Sequence, residues 1–100
     1  MTNKKIKLYD TLVLDLEKGR VYVDKTKVDL TGTEYKILRL LAENTGKVFA
    51  RDQIIEFVTD EDKNVFARTV DVHIKNLREK LGNAGTLIKN VRGIGYKIDF

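Results

Sequence analysis

The sequence predicts an α+β fold, with a small antiparallel β-sheet first, three helices in the middle and a β-hairpin at the end. Three observations lead there. Ile6, Leu8, Leu12, Leu14 and Leu16 recur at period two, the alternation of half-buried strands. Val70, Ile74, Leu77 and Leu81 recur at spacings of three and four, the stripe of a helix laid on a core. After Leu87 the alternation returns around Gly93 and Gly95, the pattern of a hairpin with glycine at its turn.

The elements follow in order. Lys5 to Leu16 is broken at Tyr9-Asp10-Thr11 and reads as two short strands. Glu17-Lys18-Gly19 is a turn, and Arg20–Val23 and Lys27–Leu30 are two more strands joined at Asp24-Lys25-Thr26. The sheet therefore occupies residues 5–30. A first helix is expected over about 31–45, opened by Thr31-x-x-Glu34. That spacing lets hydroxyl and carboxylate each bond the other's backbone amide in a capping box. Tyr35, Leu38, Leu41 and Ala42 form its inner stripe, Lys36, Arg39 and Glu43 its outer face, and Gly46 is placed to end it. Val48-Phe49 is a short extended bridge. A second helix is expected over 51–58, with Asp52 near its positive end and Ile54, Ile55, Phe57 and Val58 as its apolar content.

The polar, acidic loop Thr59–Val65 leads into a third helix over about 66–81. Gly82-Asn83-Ala84-Gly85 closes that helix, and the hairpin occupies 87–100 with Arg92 at its tip. Opposite the apolar stripe of the third helix stand Arg68, Val72, Lys75, Asn76 and Glu79, about 100° of rotation apart per residue. Two readings of this face compete: a solvated surface helix, and a helix that reads base edges in a DNA major groove. Three helices followed by a basic hairpin form a winged helix-turn-helix, which favours the second reading.

Composition bounds the alternatives. One hundred residues suit a single domain, 1–100, and the formal charge is +4. Charge is uneven: Lys63 to Lys97 holds eight cations and two acids, a local balance of +6, just after the acidic cluster Glu56, Asp60, Glu61 and Asp62. A basic lobe beside an acidic loop suggests one surface for a polyanion and another for a second partner. Cysteine is absent, which excludes disulfides and thiolate metal sites. No apolar run approaches the roughly 20 residues of a membrane span, and the N-terminus lacks a signal-peptide core. The chain reads as a soluble, cytoplasmic domain.

No enzyme is expected, and no cofactor. His73 is the sole histidine, without a second ligand at metal spacing or a nucleophile beside it. Gly93-Ile94-Gly95 precedes a strand, whereas a dinucleotide fingerprint precedes a helix. Tyr96 is expected to pack against the third helix.

Four segments together resemble a known family. They are Leu30-Thr31-x-x-Glu34-Tyr35-x-x-Leu38, Ala50-Arg51-Asp52-Gln53-Ile54, Arg68-Thr69-Val70-Asp71-Val72-His73-Ile74-x-x-Leu77-Arg78-x-Lys80-Leu81 and Val91-Arg92-Gly93-Ile94-Gly95-Tyr96. In this order they resemble the OmpR/PhoB-type effector domain, the winged-helix output domain of two-component response regulators, from about Lys5 to Phe100. The resemblance implies a transcription factor that binds double-stranded DNA as a homodimer, head to tail on tandem half-sites. Carried over, Arg68, Val72, Lys75 and Asn76 face the major groove and Arg92 sits on the wing in or near the minor groove. Thr69, His73 and Arg78 lie close to phosphates. The loop 59–65 matches the segment that touches RNA polymerase in activating members. A receiver domain and its histidine kinase belong to such systems; the first strand, only a few residues after Met1, suggests that the chain was excised from a longer protein.

The physics of each assignment stands separately. Val72 can meet a thymine methyl or stay an idle surface valine, the contact being favoured, and Asn76 can pair bidentately with adenine. Many family members carry a cation at the position of Asn76, so the preferred bases should differ here. Lys75 and Arg68 can donate to guanine or to phosphate, and Arg68 can instead pair with Asp71 three residues on. His73 can donate to a phosphate or serve as a buried polar spacer, the phosphate being favoured. The competing function class is a winged-helix protein-docking module without specific DNA binding. Its mark would be an essential acidic loop and dispensable cations between Lys63 and Lys97.

Overall fold

The computed structural model describes residues 5–9, 11–58 and 69–99. The expectations for the loop 59–65, for Arg68 and for the first turn of the third helix at 66–68 fall outside them.

The N-terminal strands β1 (Lys5–Leu8), β2 (Leu12–Asp15), β3 (Arg20–Val23) and β4 (Thr26–Val28) form an antiparallel meander in that order. The pairs Ile6↔Leu14, Leu8↔Leu12 and Leu14↔Val21 set the register. Leu8, Leu12, Leu14 and Val21 are thereby buried on one face, as period-two alternation requires. The last turn differs from expectation. Val23 pairs with Thr26, so only Asp24 and Lys25 form the loop, and the strand ends at Val28 rather than Leu30. Both loop residues have positive φ, 50° and 69°, the handedness that matches the twist of two flanking strands. Between β2 and β3 the largely buried Asp15 carboxylate accepts from the Lys18 amide at 3.1 Å and closes that turn.

Helix α1 runs Gly32–Glu43. The Glu34 amide donates to Thr31 Oγ1 at 3.1 Å and the Thr31 amide to Glu34 Oε1 at 2.9 Å, completing the capping box. The helix ends at Glu43 rather than near Gly46. Asn44 caps it, its backbone amide donating to the Leu41 carbonyl and its side chain to the Leu40 carbonyl at 2.8 Å. Gly46 instead donates its amide to the Ile98 carbonyl at 2.8 Å, tying the connection to the C-terminal strand.

The bridge after α1 is a true strand, β5 (Phe49–Ala50), and it leads directly into α2 (Arg51–Val58). The third helix, α3, is described as Val70–Leu81. Gly82 ends it with φ 61°, and a 3-10 segment, Gly82–Leu87, takes in Leu87, which the sequence assigns to the wing. The hairpin consists of β6 (Ile88–Val91) and β7 (Gly95–Ile98). Its turn is Arg92-Gly93-Ile94, with Gly93 at φ 79° and the Ile94 amide donating to the Val91 carbonyl at 2.9 Å.

Strand β5 pairs with β7, Phe49 opposite Tyr96 and Ala50 opposite Gly95, so the wing is a three-stranded sheet in the order β5-β7-β6. Gly95 lies within β7 rather than in the turn, which corrects its sequence-based assignment. Its glycine identity serves close approach: a Cβ there would stand 1.9 Å from the Phe49 carbonyl oxygen.

A single core joins these parts. Val70, Ile74, Leu77 and Leu81 of α3 pack with Ile37, Leu38 and Leu41 of α1, Ile54 and Val58 of α2, and Ile88 and Ile98 of the wing. Full burial of each such side chain stabilises the fold by about 1.5–3 kcal/mol. Once the stripe of α3 is committed to this core, its opposite face must look outward.

Candidate nucleic-acid interface

The outward face of α3 is the centre of the candidate site. Val72 is 55% exposed, a large apolar side chain in water on a helix whose other valine is fully buried. Lys75 and Arg78 are exposed beside it, while Asn76, His73 and Thr69 are half-buried on its flanks. Arg92 is exposed at the wing tip, and Ile94 next to it is 58% exposed. Seven of the eight sequence-predicted site residues therefore belong to two neighbouring elements, α3 with the residue before it, and the wing turn. The eighth, Arg68, lies outside the described residues.

A groove of about 220 Å³ separates helix from wing, lined by Asp71, Ile74, Lys75, Arg78, Asn90 and Tyr96 among others. Its floor is a network that spacing along the sequence did not reveal. Asp71 Oδ1 accepts from Arg51 Nε at 2.8 Å and also from the Tyr96 hydroxyl. The Arg51 guanidinium lies over the Tyr96 ring, 5.4 Å from its centre. Tyr96 thus packs against the third helix as expected, and it also hydrogen-bonds to it. The Tyr96 donation, followed by that of Arg51, holds the Asp71 carboxyl below the usual aspartate range. Burial, followed by the bond to Asp71, pushes the Tyr96 phenol above its ordinary value. The proton accordingly stays on Tyr96 and off Asp71 throughout the neutral range. The acid proposed as an alternative partner for Arg68 is thus already held by two other side chains.

The far end of α3 is tied as well. Lys80 Nζ donates to Glu34 Oε1 at 2.7 Å, and the Glu34 side chain is almost completely buried at the start of α1. Burial pushes the Glu34 carboxyl up, but Lys80 and the Thr31 donors together outweigh it and leave the group below its ordinary value.

These contacts sort the basic lobe. Lys80 is held by Glu34, and Lys97 pairs with Asp99 at 3.1 Å. Lys75, Arg78, Lys89 and Arg92 have no ion-pair partner among the described residues. They border the groove or the wing and are available to a polyanion. Phosphate neutralisation by such lysines and arginines is the main sequence-independent contribution to DNA affinity. Sequence is read instead by side chains that reach base edges, through amide hydrogen bonds and apolar contacts.

Arg51, Asn90 and Ile94 were missed by sequence reasoning. Arg51 was read only as a helix start, and nothing local reveals a partner twenty residues on. Asn90 and Ile94 did carry a signal, since a polar residue in the wing strand and an apolar one at a hairpin tip both lack a core to serve. Among the described residues no cluster of histidine, cysteine or acidic side chains is arranged to hold a metal ion. No described helix is long and apolar enough to cross a membrane.

Comparison with known proteins agrees with this geometry. The family model for transcriptional regulatory protein, C terminal, matches residues 25–98. Response regulator protein PmrA of Pseudomonas aeruginosa is 41% identical over 92 residues, covering 92% of this chain and 41% of that protein. The chain spans about two-fifths of the length of the curated relatives it matches. Among solved structures, response regulator DrrB, a Thermotoga maritima OmpR/PhoB homologue, superposes with a TM-score of 0.84 at 27% identity, covering 99% of this chain and 46% of that one. The Klebsiella pneumoniae RstA DNA-binding domain, solved in complex with the RstA box, superposes with a TM-score of 0.81 at 31% identity, covering 97% of this chain and 98% of that one.

Proposed function

The chain belongs to the family of transcriptional regulatory protein C-terminal domains, of OmpR/PhoB type, and on that ground we propose that it binds duplex DNA sequence-specifically to regulate transcription. Helix α3 enters the major groove and the wing lies on the minor groove or the backbone. Val72, Lys75, Asn76 and Arg68 read bases; Thr69, His73 and Arg78 meet phosphates; Arg92 anchors the wing. The observation that carries this reading is the outward face of α3. It presents an exposed valine, an amide and cations without an ion-pair partner among the described residues, beside a basic hairpin. A lone exposed valine is ordinary on a solvated helix, but beside an amide and cations it offers a thymine methyl an apolar contact of matching size.

Two copies bind head to tail on direct repeats, and RNA polymerase is met through residues 59–65. The whole protein is cytoplasmic and carries a receiver domain addressed by a histidine kinase. These finer statements rest on the family resemblance, and the short span of the chain relative to its relatives is compatible with them.

The test is selection from a randomised duplex pool at moderate salt, with sequencing of the bound fraction. Two similar half-sites in one orientation, about one helical turn apart, are expected. Asn76→Ala should change the enriched bases at one position at a cost of about 1–3 kcal/mol in discrimination. Arg92→Ala should weaken binding to most sequences. An inverted repeat would discard the head-to-tail arrangement, and no enrichment would point to a protein-docking module.

A further inference from the structure

We propose that Asp71 is a positioning residue which, through Arg51 and Tyr96, fixes the spacing between the recognition helix and the wing. This rests on the DNA-binding reading and deepens it. A carboxylate at the start of α3 faces the same side as Lys75 and Arg78 and would repel a phosphate if left alone. It is not alone: one oxygen accepts both Arg51 Nε from α2 and the Tyr96 hydroxyl from β7. Three elements meet at that atom. Tyr96 is opposite Asn90 on one side and Phe49 on the other, in the middle of the wing sheet. Three residues before it, Gly93 turns the wing tip that presents Arg92. A shift of Tyr96 therefore moves Arg92 relative to Val72 and Asn76. Arg51 stacked on the Tyr96 ring adds a second contact in a different direction, so neither sliding nor tilting of the wing is free. Charge-assisted hydrogen bonds of this kind hold geometry as well as energy.

A different role is available to Asp71, since an acid in the first turn also favours the helix dipole. Tyr96→Phe separates the two, because it leaves Asp71, the dipole and the ring packing in place and removes only the hydroxyl. The 100-residue chain carrying this substitution is compared with the parent in two measurements. Nuclear-spin relaxation of the free protein is expected to show new slow exchange at residues 70–76 and 92–94 together. Discrimination between the selected duplex and a scrambled one is expected to fall about tenfold. The dependence of affinity on salt should be unchanged, because no phosphate-facing cation is lost. A variant that stays as rigid as the parent at both places overturns the proposal. So does one that discriminates as well as the parent. If the parent itself prefers no duplex, the DNA-binding reading fails, and the relaxation measurement still decides whether Asp71 couples helix to wing.

Discussion

Replacing Gly95 with alanine puts a methyl group where the wing sheet leaves no room. The added Cβ would stand 1.9 Å from the Phe49 carbonyl oxygen, 2.7 Å from its carbon and 2.9 Å from Ala50 Cα. Ordinary contact begins near 3.4 Å, so β5 must retreat from β7 by about 1.5 Å. The obstacle is backbone, and no rotamer change can relieve it. Overpacking of this kind costs about 1–3 kcal/mol, and each ladder hydrogen bond lost between β5 and β7 about 0.5–1.5 kcal/mol more. A total of about 2–5 kcal/mol lowers the melting temperature of a domain this size by roughly 10–30 °C. The control is Gly93→Ala, where space is open but φ is 79°, a strain of about 1–2 kcal/mol. Thermal unfolding of both variants, followed by circular dichroism, should therefore rank Gly95→Ala well below Gly93→Ala. Equal melting temperatures, or the reverse order, would refute the assignment of Gly95 to a close strand approach.

Other outcomes follow from the same contacts. Lys80→Met leaves the buried Glu34 carboxylate without its cation; breaking a fully buried pair costs about 3–5 kcal/mol. Lys80 is 39% exposed, so solvent screening reduces this to about 1–2 kcal/mol in urea denaturation, part of it recovered by adding Glu34→Gln. The salt slope of DNA affinity should not change in Lys80→Met, whereas Arg78→Ala, at a position assigned to a phosphate, should reduce it by about 0.9. Acid should destabilise the domain in a defined window. Glu34 and Asp71 both sit below their ordinary values of 4.5 and 3.8, so their contribution is complete above those values and is lost as pH falls below them and through the lowered folded-state values. A melting temperature that stays level from about pH 6 down to pH 2 would contradict this. Val72→Ala should leave the melting temperature within about 2 °C, as befits an exposed site, and weaken preference for thymine at one position of the selected site.

What was legible in the sequence was local. Val70, Ile74, Leu77 and Leu81 announce a helix face because four residues suffice to show a period. Thr31 and Glu34 announce a helix start because both partners of the capping box lie three apart. The unread parts depend on residues far apart in the chain. Phe49-Ala50 is too short to declare itself a strand, and it becomes one because β7 offers it an edge. The reason for Gly95 is the same close approach seen from the other side. Lys80 was counted with the basic lobe, since nothing near it in sequence discloses Glu34, 46 residues earlier. Lys97 is a milder case, as Asp99 follows two residues later, just past the end of β7.

The longest-range side-chain hydrogen bonds among the described residues share a helix, and that has consequences for recognition. Asp71 ties the start of α3 to α2 and β7, and Lys80 ties its end to α1. The base-reading candidates Val72, Lys75 and Asn76 lie between these two points. Each tie forms only when its partner element is already docked, so the spacing of the reading face depends on the whole fold rather than on helix propensity. Charge used in these ties is withdrawn from the surface, so the sequence total for the basic lobe exceeds what a polyanion meets. The same dependence makes recognition vulnerable at a distance. A methyl at Gly95, which touches no DNA, displaces the strand that carries Tyr96. It should degrade discrimination at temperatures where the domain is still folded.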